Sequence, residues 1–140
     1  SQTYLQSLVE VSEVYEGVVD LLQKLKGQYP ISIITNGLKE VQRPRLNKLQ
    51  LTDYFDSIVV SDEIGVAKPN LAYFEYVYQS IPNPPNKSDI LVIGDSLKSD
   101  ILGGLQFGAK TCWISHGKSN NTTIQPDYVI NNILELFQIL

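Results

Sequence analysis

The fold is decided by the stretch Ile90-Leu91-Val92-Ile93-Gly94-Asp95-Ser96-Leu97-Lys98-Ser99-Asp100. Its four aliphatic residues, bounded by turn formers, predict a strand buried on both faces, and the apolar spacing after Ser99 predicts a helix. Two carboxylates and two hydroxyls then lie at a strand's carboxyl end, where open parallel α/β sheets bind ligands. An acidic cluster without a nearby His or Cys favours Mg²⁺ over zinc. The alternative is a plain helix cap, in which Ser99 or Asp100 closes the first turn.

Composition narrows the class of protein. The 140 residues suit one domain with a real core, and a formal charge of −4 argues against a nucleic-acid partner. The single cysteine, Cys112, excludes a disulfide framework and is predicted to be a buried strand thiol. The sole histidine, His116, is predicted to be a loop residue. We see no signal peptide and no apolar run near the length of a membrane span, and we expect a soluble, cytoplasmic protein.

Hydrophobic periodicity along the chain predicts an alternation of strands and helices. Parallel strands need crossover connections, and here the crossovers are helical, so the order predicts a Rossmann-like α/β fold with a parallel sheet and helices on both faces. The predicted strands cover residues 31–34, 55–60, 90–93, 111–114 and 128–130, and the predicted helices cover 16–26, 38–49, 70–81, 101–107 and 133–140.

Two further polar stretches follow predicted strands. Thr35-Asn36-Gly37 offers a hydroxyl and free N–H groups at a helix start, which is typical of a phosphate cradle, although a cap and a turn glycine would look the same. Lys68 precedes Pro69, which can open the next helix, and from there the lysine can reach over the strand ends to neutralise phosphate charge. Otherwise Lys68 is a solvated surface residue.

These three stretches, in this order and each at a strand end, resemble the haloacid dehalogenase-like phosphohydrolases across essentially the whole chain. Longer stretches, such as residues 33–37, 65–70, 99–104 and 109–113, look closest to the 5′-nucleotidases that act on pyrimidine and modified-pyrimidine monophosphates. The resemblance implies a Mg²⁺-dependent phosphomonoester hydrolase that works through an aspartyl-phosphate. Its expected substrate is a phosphate monoester such as a pyrimidine nucleoside monophosphate.

The resemblance also implies residue roles. Thr35 would hold the phosphate through its hydroxyl, with the backbone of Asn36 helping. Lys68 would stabilise the phosphoryl group and the charged nucleophile. Asp95 would ligate Mg²⁺, and Asp100 would support the metal from outside its ligand sphere. A cation, an ammonium and aimed N–H groups are what a transferring phosphoryl group needs.

The chain departs from the family at the first motif, Asp-x-Asp-x-Thr, whose first Asp attacks phosphorus. None of the eight aspartates is followed two places later by another. We therefore interpret residues 1–15 as the remnant of a helix returning from the family's cap, and residues 16–140 as a partial core from a longer enzyme. The family's central first strand would be missing, and its two neighbours would close onto each other or be bridged by another chain or by the missing amino-terminal piece. Such a chain should be inactive alone.

Two other classes remain open at this point. One is a binding or interaction module that keeps the fold and has lost catalysis. The other is a receiver domain of a signalling relay, which also places acids, Thr and Lys at strand ends. In a receiver the acceptor aspartate precedes the Thr and the Lys comes last, whereas here the order is Thr35, Lys68, Asp95.

Overall fold

The computed structural model describes residues 4–10, 23–25, 28–37, 44, 47 and 55–140. Its strands are β1 (Gln6–Glu10), β2 (Ile31–Thr35), β3 (Ser57–Val60), β4 (Ile90–Gly94), β5 (Lys110–Ile114) and β6 (Tyr128–Ile130). Its α-helices are α1 (Ser61–Ile64), α2 (Leu71–Ser80) and α3 (Leu102–Phe107). Short 3₁₀ helices cover Lys87–Asp89 and Ile133–Gln138, and one π-type turn, Leu97–Ile101, leads into α3. Most of the two helices predicted at 16–26 and 38–49 lies outside the described residues.

All six strands are parallel and form one sheet in the order β3-β2-β1-β4-β5-β6. Each of the five strands that the sequence predicted is present. The predicted class of fold, a parallel sheet flanked by helices, is confirmed. Because the strands are parallel, their carboxyl ends meet along one edge, and the polar residues that follow β2 and β4 share that edge.

The expectation of a missing central strand is wrong. Gln6–Glu10 forms β1, which pairs with β2 on one side and with β4 on the other, so the gap between them is filled from within this chain. The helix expected near the start of the chain is also wrong over this range. Of the buried polar side chains of β1, the amide of Gln6 donates to the hydroxyl of Ser32, which also accepts from the hydroxyl of Ser57. The buried hydroxyl of Ser7 has no hydrogen-bond partner among the described residues.

The sheet buries apolar side chains on both faces. Val9, Ile33 and Ile93 lie in one cluster with Leu136 of the closing 3₁₀ helix. Leu8, Ile34 and Val92 lie in the other with α2 and the end of α3. Consecutive residues of each strand point to opposite faces, which explains why these strands are almost wholly aliphatic.

Apolar spacing in α2 predicts that Leu71, Phe74, Val77 and Tyr78 face the sheet. Phe74 and Val77 are buried, as this spacing predicts, but Leu71 is 48% exposed and Tyr73 is fully buried in its place. Cys112 is buried in β5, as predicted, and burial raises the pKa of its thiol to about 12. Within the described ranges, no helix combines the length and the apolar character needed to cross a membrane.

Candidate functional site

The candidate site lies where three central strands end. Glu10 is the last residue of β1, Thr35 is the last residue of β2, and Asp95 follows Gly94, the last residue of β4. Lys68 reaches the same edge from the segment between α1 and α2. A buried lysine and several acids therefore meet where the fold leaves backbone groups and side chains open to a ligand.

Lys68 is buried rather than solvated, so the alternative of a surface lysine is wrong. The residue is 5% exposed, and its ammonium donates to the carboxylates of both Glu10 and Asp100. The side chains of Lys68, Glu10 and Asp100 are 1%, 8% and 0% exposed. Charged groups this deep are stable only when paired, and each of the three depends on the others.

Asp100 is held from three directions. Its Oδ1 accepts from the ammonium of Lys68, and its Oδ2 accepts from the backbone N–H of Ser96 at 3.2 Å. A Cβ built on Gly94 would lie 2.2 Å from that same Oδ2, so only glycine leaves room for the carboxylate. Ser96 is the residue that caps the following turn, through its hydroxyl and the N–H of Ser99. The cap alternative, which named Ser99 or Asp100, is wrong in its residue, because the capping side chain is that of Ser96. Asp100 instead pairs the lysine.

Asn36 locks the loop that carries Lys68 to the end of β2. Its side-chain oxygen accepts from the N–H of Lys68 at 2.9 Å, and its side-chain nitrogen donates to the carbonyl of the same residue at 3.0 Å. The two bonds fix the lysine backbone relative to Thr35. The family resemblance implies that the backbone of Asn36 helps to bind the phosphate. The structure shows in addition that its side chain positions the backbone of Lys68.

Thr35 is positioned by a residue that the sequence did not indicate. Its N–H donates to the phenol oxygen of Tyr73 at 2.9 Å, and that phenol donates to the carbonyl of Val59 at 2.6 Å. The hydroxyl of Thr35 accepts from the N–H of Gly37 at 3.1 Å, so this donor of the predicted cradle is directed at the threonine itself. Tyr73 thus ties β2 and β3 together immediately before the site.

Electrostatics distinguish the two acids on Lys68. Burial raises the pKa of Glu10 to about 7, against the attraction of Lys68, and the nearby charges of Asp100 and Asp95 add to the rise. Burial likewise raises the pKa of Asp100, with Lys68 and the Ser96 N–H opposing it. A carboxyl group with a pKa near neutrality can change charge under ordinary conditions.

Asp95 is more accessible than Glu10 and Asp100, the other described acids at this edge. Its side chain is 43% exposed, and its Oδ2 lies 3.8 Å from Nε2 of His116, in the loop after β5. Its carbonyl accepts from the indole N–H of Trp113 at 3.0 Å, which fixes the backbone beneath the carboxylate. His116 is a loop residue, as predicted, but it lies beside the site.

The acidic side chains at this edge fit a Mg²⁺ ion that takes only one or two of its ligands from the protein. In the part of the chain that the structure describes, no three acidic, His or Cys side chains are grouped so as to hold a metal. Mg²⁺ usually binds through one or two carboxylates and completes its shell with water and phosphate. Asp95 can supply such a carboxylate, because those of Glu10 and Asp100 are engaged by Lys68.

The residues that the sequence singled out lie together at this edge of the sheet, namely Thr35, Asn36, Lys68, Asp95 and Asp100. The sequence did not indicate Glu10 and Tyr73, which contact Lys68 and Thr35 there. Glu10 falls within the helix expected near the start of the chain, and no motif marks it. Tyr73 resembles, in the sequence, one more aromatic residue of an amphipathic helix. The only available signal was that a fully buried tyrosine needs a partner for its hydroxyl.

Comparison with known proteins agrees with this arrangement. A family model described as haloacid dehalogenase-like hydrolase matches residues 1–114. The chain belongs to the haloacid dehalogenase-like hydrolases. The family membership expected from the motifs is thereby confirmed.

Relatives within this hydrolase family match almost the whole chain. Pyrimidine 5′-nucleotidase YjjG of Escherichia coli is 38% identical to this chain, and the match covers all of the chain and 62% of YjjG. Pyrimidine 5′-nucleotidase PynA of Streptococcus pneumoniae is 32% identical, and the match covers all of the chain and 60% of PynA. The crystal structure of the putative hydrolase YfnB of Bacillus subtilis, bound to magnesium, superposes with a TM-score of 0.82 at 38% identity, over 91% of this chain and 55% of that one. The chain thus spans about three-fifths of the length of the curated relatives that it matches.

Proposed function

We propose that this chain carries the phosphate- and metal-binding part of a Mg²⁺-dependent phosphomonoester hydrolase. The observation that carries the proposal is the meeting of Lys68, Asp100 and the Thr35 segment at one edge of the sheet, joined by the side chain of Asn36. These residues come from three separate parts of the chain, and no requirement of folding alone explains a buried lysine at the carboxyl ends of the strands.

Each residue has a distinct task in this proposal. The hydroxyl of Thr35 and the backbone N–H of Asn36 bind a phosphoryl oxygen, and the ammonium of Lys68 offsets the negative charge that spreads over the group as it transfers. Asp95 holds Mg²⁺, which when bound would polarise the phosphoryl oxygens. Asp100 acts on Lys68 by fixing the position of its ammonium.

The proposed substrate class is a nucleoside monophosphate. Support comes from two relatives named as pyrimidine 5′-nucleotidases, both of which cover the whole chain at 32% identity or more. The proposed mechanism passes through an aspartyl-phosphate. Because no Asp-x-Asp pair occurs in the 140 residues, the attacking aspartate of this mechanism lies outside them.

Binding and turnover measurements on the 140-residue chain test the proposal. Inorganic phosphate should bind more tightly with Mg²⁺ present than without it. Asp95→Asn should abolish the effect of Mg²⁺, and Lys68→Met should abolish phosphate binding itself. Glu75→Gln, which removes an exposed charge on α2, is the matched control and should change neither. Phosphate binding that ignores both site substitutions would contradict the proposal.

Turnover gives an independent arm. With p-nitrophenyl phosphate or uridine monophosphate as substrate, the chain alone should show only the background rate, because it lacks the attacking aspartate. Clear Mg²⁺-dependent hydrolysis by pure protein would show that catalysis needs no aspartate from outside these residues, and that part of the proposal would then fail.

A binding module without catalysis is the second candidate. One observation favours it: the ammonium of Lys68 already has two carboxylate partners and needs no ligand as a hydrogen-bond acceptor. The phosphate titration separates the two candidates. A module that has lost both catalysis and its phosphate site would bind neither phosphate nor Mg²⁺ at this edge.

A further inference from the structure

Lys68 has more negative charge around it than it can neutralise. One ammonium faces the carboxylates of Glu10 and Asp100, and the carboxylate of Asp95 lies close enough to raise the pKa of both acids. A phosphoryl group that approached this lysine would bring further negative charge into a site with a net negative balance. For the proposed function to operate, one carboxylate has to give way.

The two carboxylates on Lys68 are not equally replaceable. Asp100 has a second donor, the N–H of Ser96, and its position is enclosed by Gly94. For Glu10, the described part of the chain shows one side-chain hydrogen bond, to Lys68. Glu10 also retains some exposure, 8% for its side chain against 0% for Asp100. Since its side chain has three rotatable bonds, Glu10 can leave the lysine without any movement of β1.

We propose that Glu10 is an internal counter-ion, which holds Lys68 until a tetrahedral oxyanion of the phosphate class takes its place. This inference rests on the proposed function and extends it. Glu10 competes with the ligand for the lysine, whereas Asp100 keeps the lysine in position throughout. Phosphate binding is thereby coupled to the loss of one negative charge from Glu10 or to the departure of its side chain.

Proton uptake is the simplest form of this coupling. Among the described residues, the groups that face Glu10 are the ammonium of Lys68, the carboxylates of Asp100 and Asp95, and the phenol of Tyr73. The pKa of that phenol is itself raised mainly by burial and also by Glu10. With a pKa of about 7, roughly nine molecules in ten carry a neutral Glu10 at pH 6 and roughly one in ten at pH 8. If only those molecules bind the anion, apparent affinity falls about tenfold between the two values.

Sulfate is the suitable probe, because it has the shape of phosphate and does not itself titrate in this range. Sulfate binding to the 140-residue chain is measured by calorimetry at pH 6, 7 and 8, at constant ionic strength set with chloride. The wild-type affinity should fall about tenfold from pH 6 to pH 8. Glu10→Gln, which mimics the neutral acid, should bind at pH 8 about tenfold more tightly than the wild type and show no such fall.

Matched controls separate the titration of Glu10 from that of other groups. His116→Asn removes the imidazole that lies beside Asp95, and Glu75→Gln removes a distant surface carboxylate; both should keep the wild-type pH profile. Lys68→Met should remove binding at every pH. Circular dichroism checks that each variant is folded, and the wild-type profile tests the inference even if Glu10→Gln does not fold.

The outcomes separate this inference from the function beneath it. Sulfate binding that depends on Lys68 but is equal in the wild type and Glu10→Gln, with equal pH profiles, would overturn the counter-ion inference and leave the anion site standing. Weaker binding by Glu10→Gln would also overturn it, since Glu10 would then assist the ligand. No binding by any variant, even at pH 6, would overturn both.

Discussion

Replacement of Glu10 by Gln should change how stability depends on pH. Burial raises the pKa of Glu10 from 4.5 to about 7 in the folded protein. Between these values the folded state holds a proton that the unfolded state has released, so the free energy of unfolding decreases as the pH rises. The shift amounts to about 3 kcal/mol in total, and about 2.5 kcal/mol of it falls between pH 5 and pH 8.

The sign of the effect follows from the raised pKa. The stabilising contribution of Glu10 is fully present below pH 4.5 and disappears as the pH passes through about 7. Asp100, whose pKa is also raised by burial, adds to the fall in the same direction. In Glu10→Gln the side chain is neutral at every pH, and only the smaller slope from the rest of the molecule remains.

Urea unfolding at half-unit steps from pH 5 to pH 8 measures the effect. The wild type should lose about 2.5 kcal/mol more than Glu10→Gln over this range. Glu75→Gln is the control, because Glu75 and Lys87 form an exposed pair, 39% and 38% accessible, that is worth less than about 1 kcal/mol. Parallel pH profiles for the wild type and Glu10→Gln would refute the reasoning, since they would mean that Glu10 titrates alike in the folded and unfolded states.

Three further substitutions test other contacts, each by urea unfolding. Tyr73→Phe leaves a strand N–H and a strand carbonyl without their buried partner and should cost about 2 to 4 kcal/mol. The hydroxyl of Tyr78 donates only to a loop carbonyl, so the control Tyr78→Phe should cost about 1 kcal/mol. Equal losses would contradict the bridge assigned to Tyr73. Gly94→Ala puts a Cβ 2.2 Å from an oxygen of the Asp100 carboxylate and should cost about 1 to 3 kcal/mol. Gly65→Ala should cost less, because its Cβ meets only open space, although Gly65 has a φ of 76°. The reverse order of the two losses would show that the carboxylate can move aside. Lys68→Met leaves two buried acids without their cation and should cost about 3 to 5 kcal/mol at pH 8. The cost should be smaller at pH 5, where Glu10 takes up a proton, and an equal loss at both values would rule out the buried ion pairs.

The strands that the sequence predicted share a simple physical signature. Ile31-Ser32-Ile33-Ile34 and Ile90-Leu91-Val92-Ile93 are short, mostly aliphatic runs that end in turn residues, and a doubly buried parallel strand requires that composition. Polar residues that follow such runs must lie at the carboxyl edge of the sheet. The positions of Thr35 and Asp95 were therefore predictable from local patterns alone.

The central strand β1 was not predictable in this way. Leu5, Leu8 and Val9 have the spacing of a helix face, while Gln6 and Ser7 are polar residues in what proves to be the middle of the sheet. Gln6 is acceptable there because the neighbouring strands also carry polar residues, and its amide meets the hydroxyl of Ser32. That compensation depends on tertiary pairing between distant segments, and no local window contains it.

Of the two carboxylates that pair with Lys68, only that of Asp100 could be predicted from the sequence. The motif order placed Lys68 and Asp100 at one site, 32 residues apart in the chain. Its second partner, Glu10, is 58 residues away and became visible only once β1 was known to end beside β2 and β4. The burial that raises the pKa of Glu10 is likewise a property of the assembled sheet.

Chemical-shift mapping by NMR tests the central claim most directly. With Mg²⁺ and inorganic phosphate added to the labelled 140-residue chain, backbone amide shifts should concentrate at Asn36, Gly37, Lys68, Asp95 and Ser96, the residues at the carboxyl ends of β2 and β4 and on the loop between α1 and α2. Lys68→Met should remove the changes caused by phosphate. Shifts confined to the opposite edge of the sheet, or no shifts at millimolar ligand, would contradict a phosphate and metal site in this position.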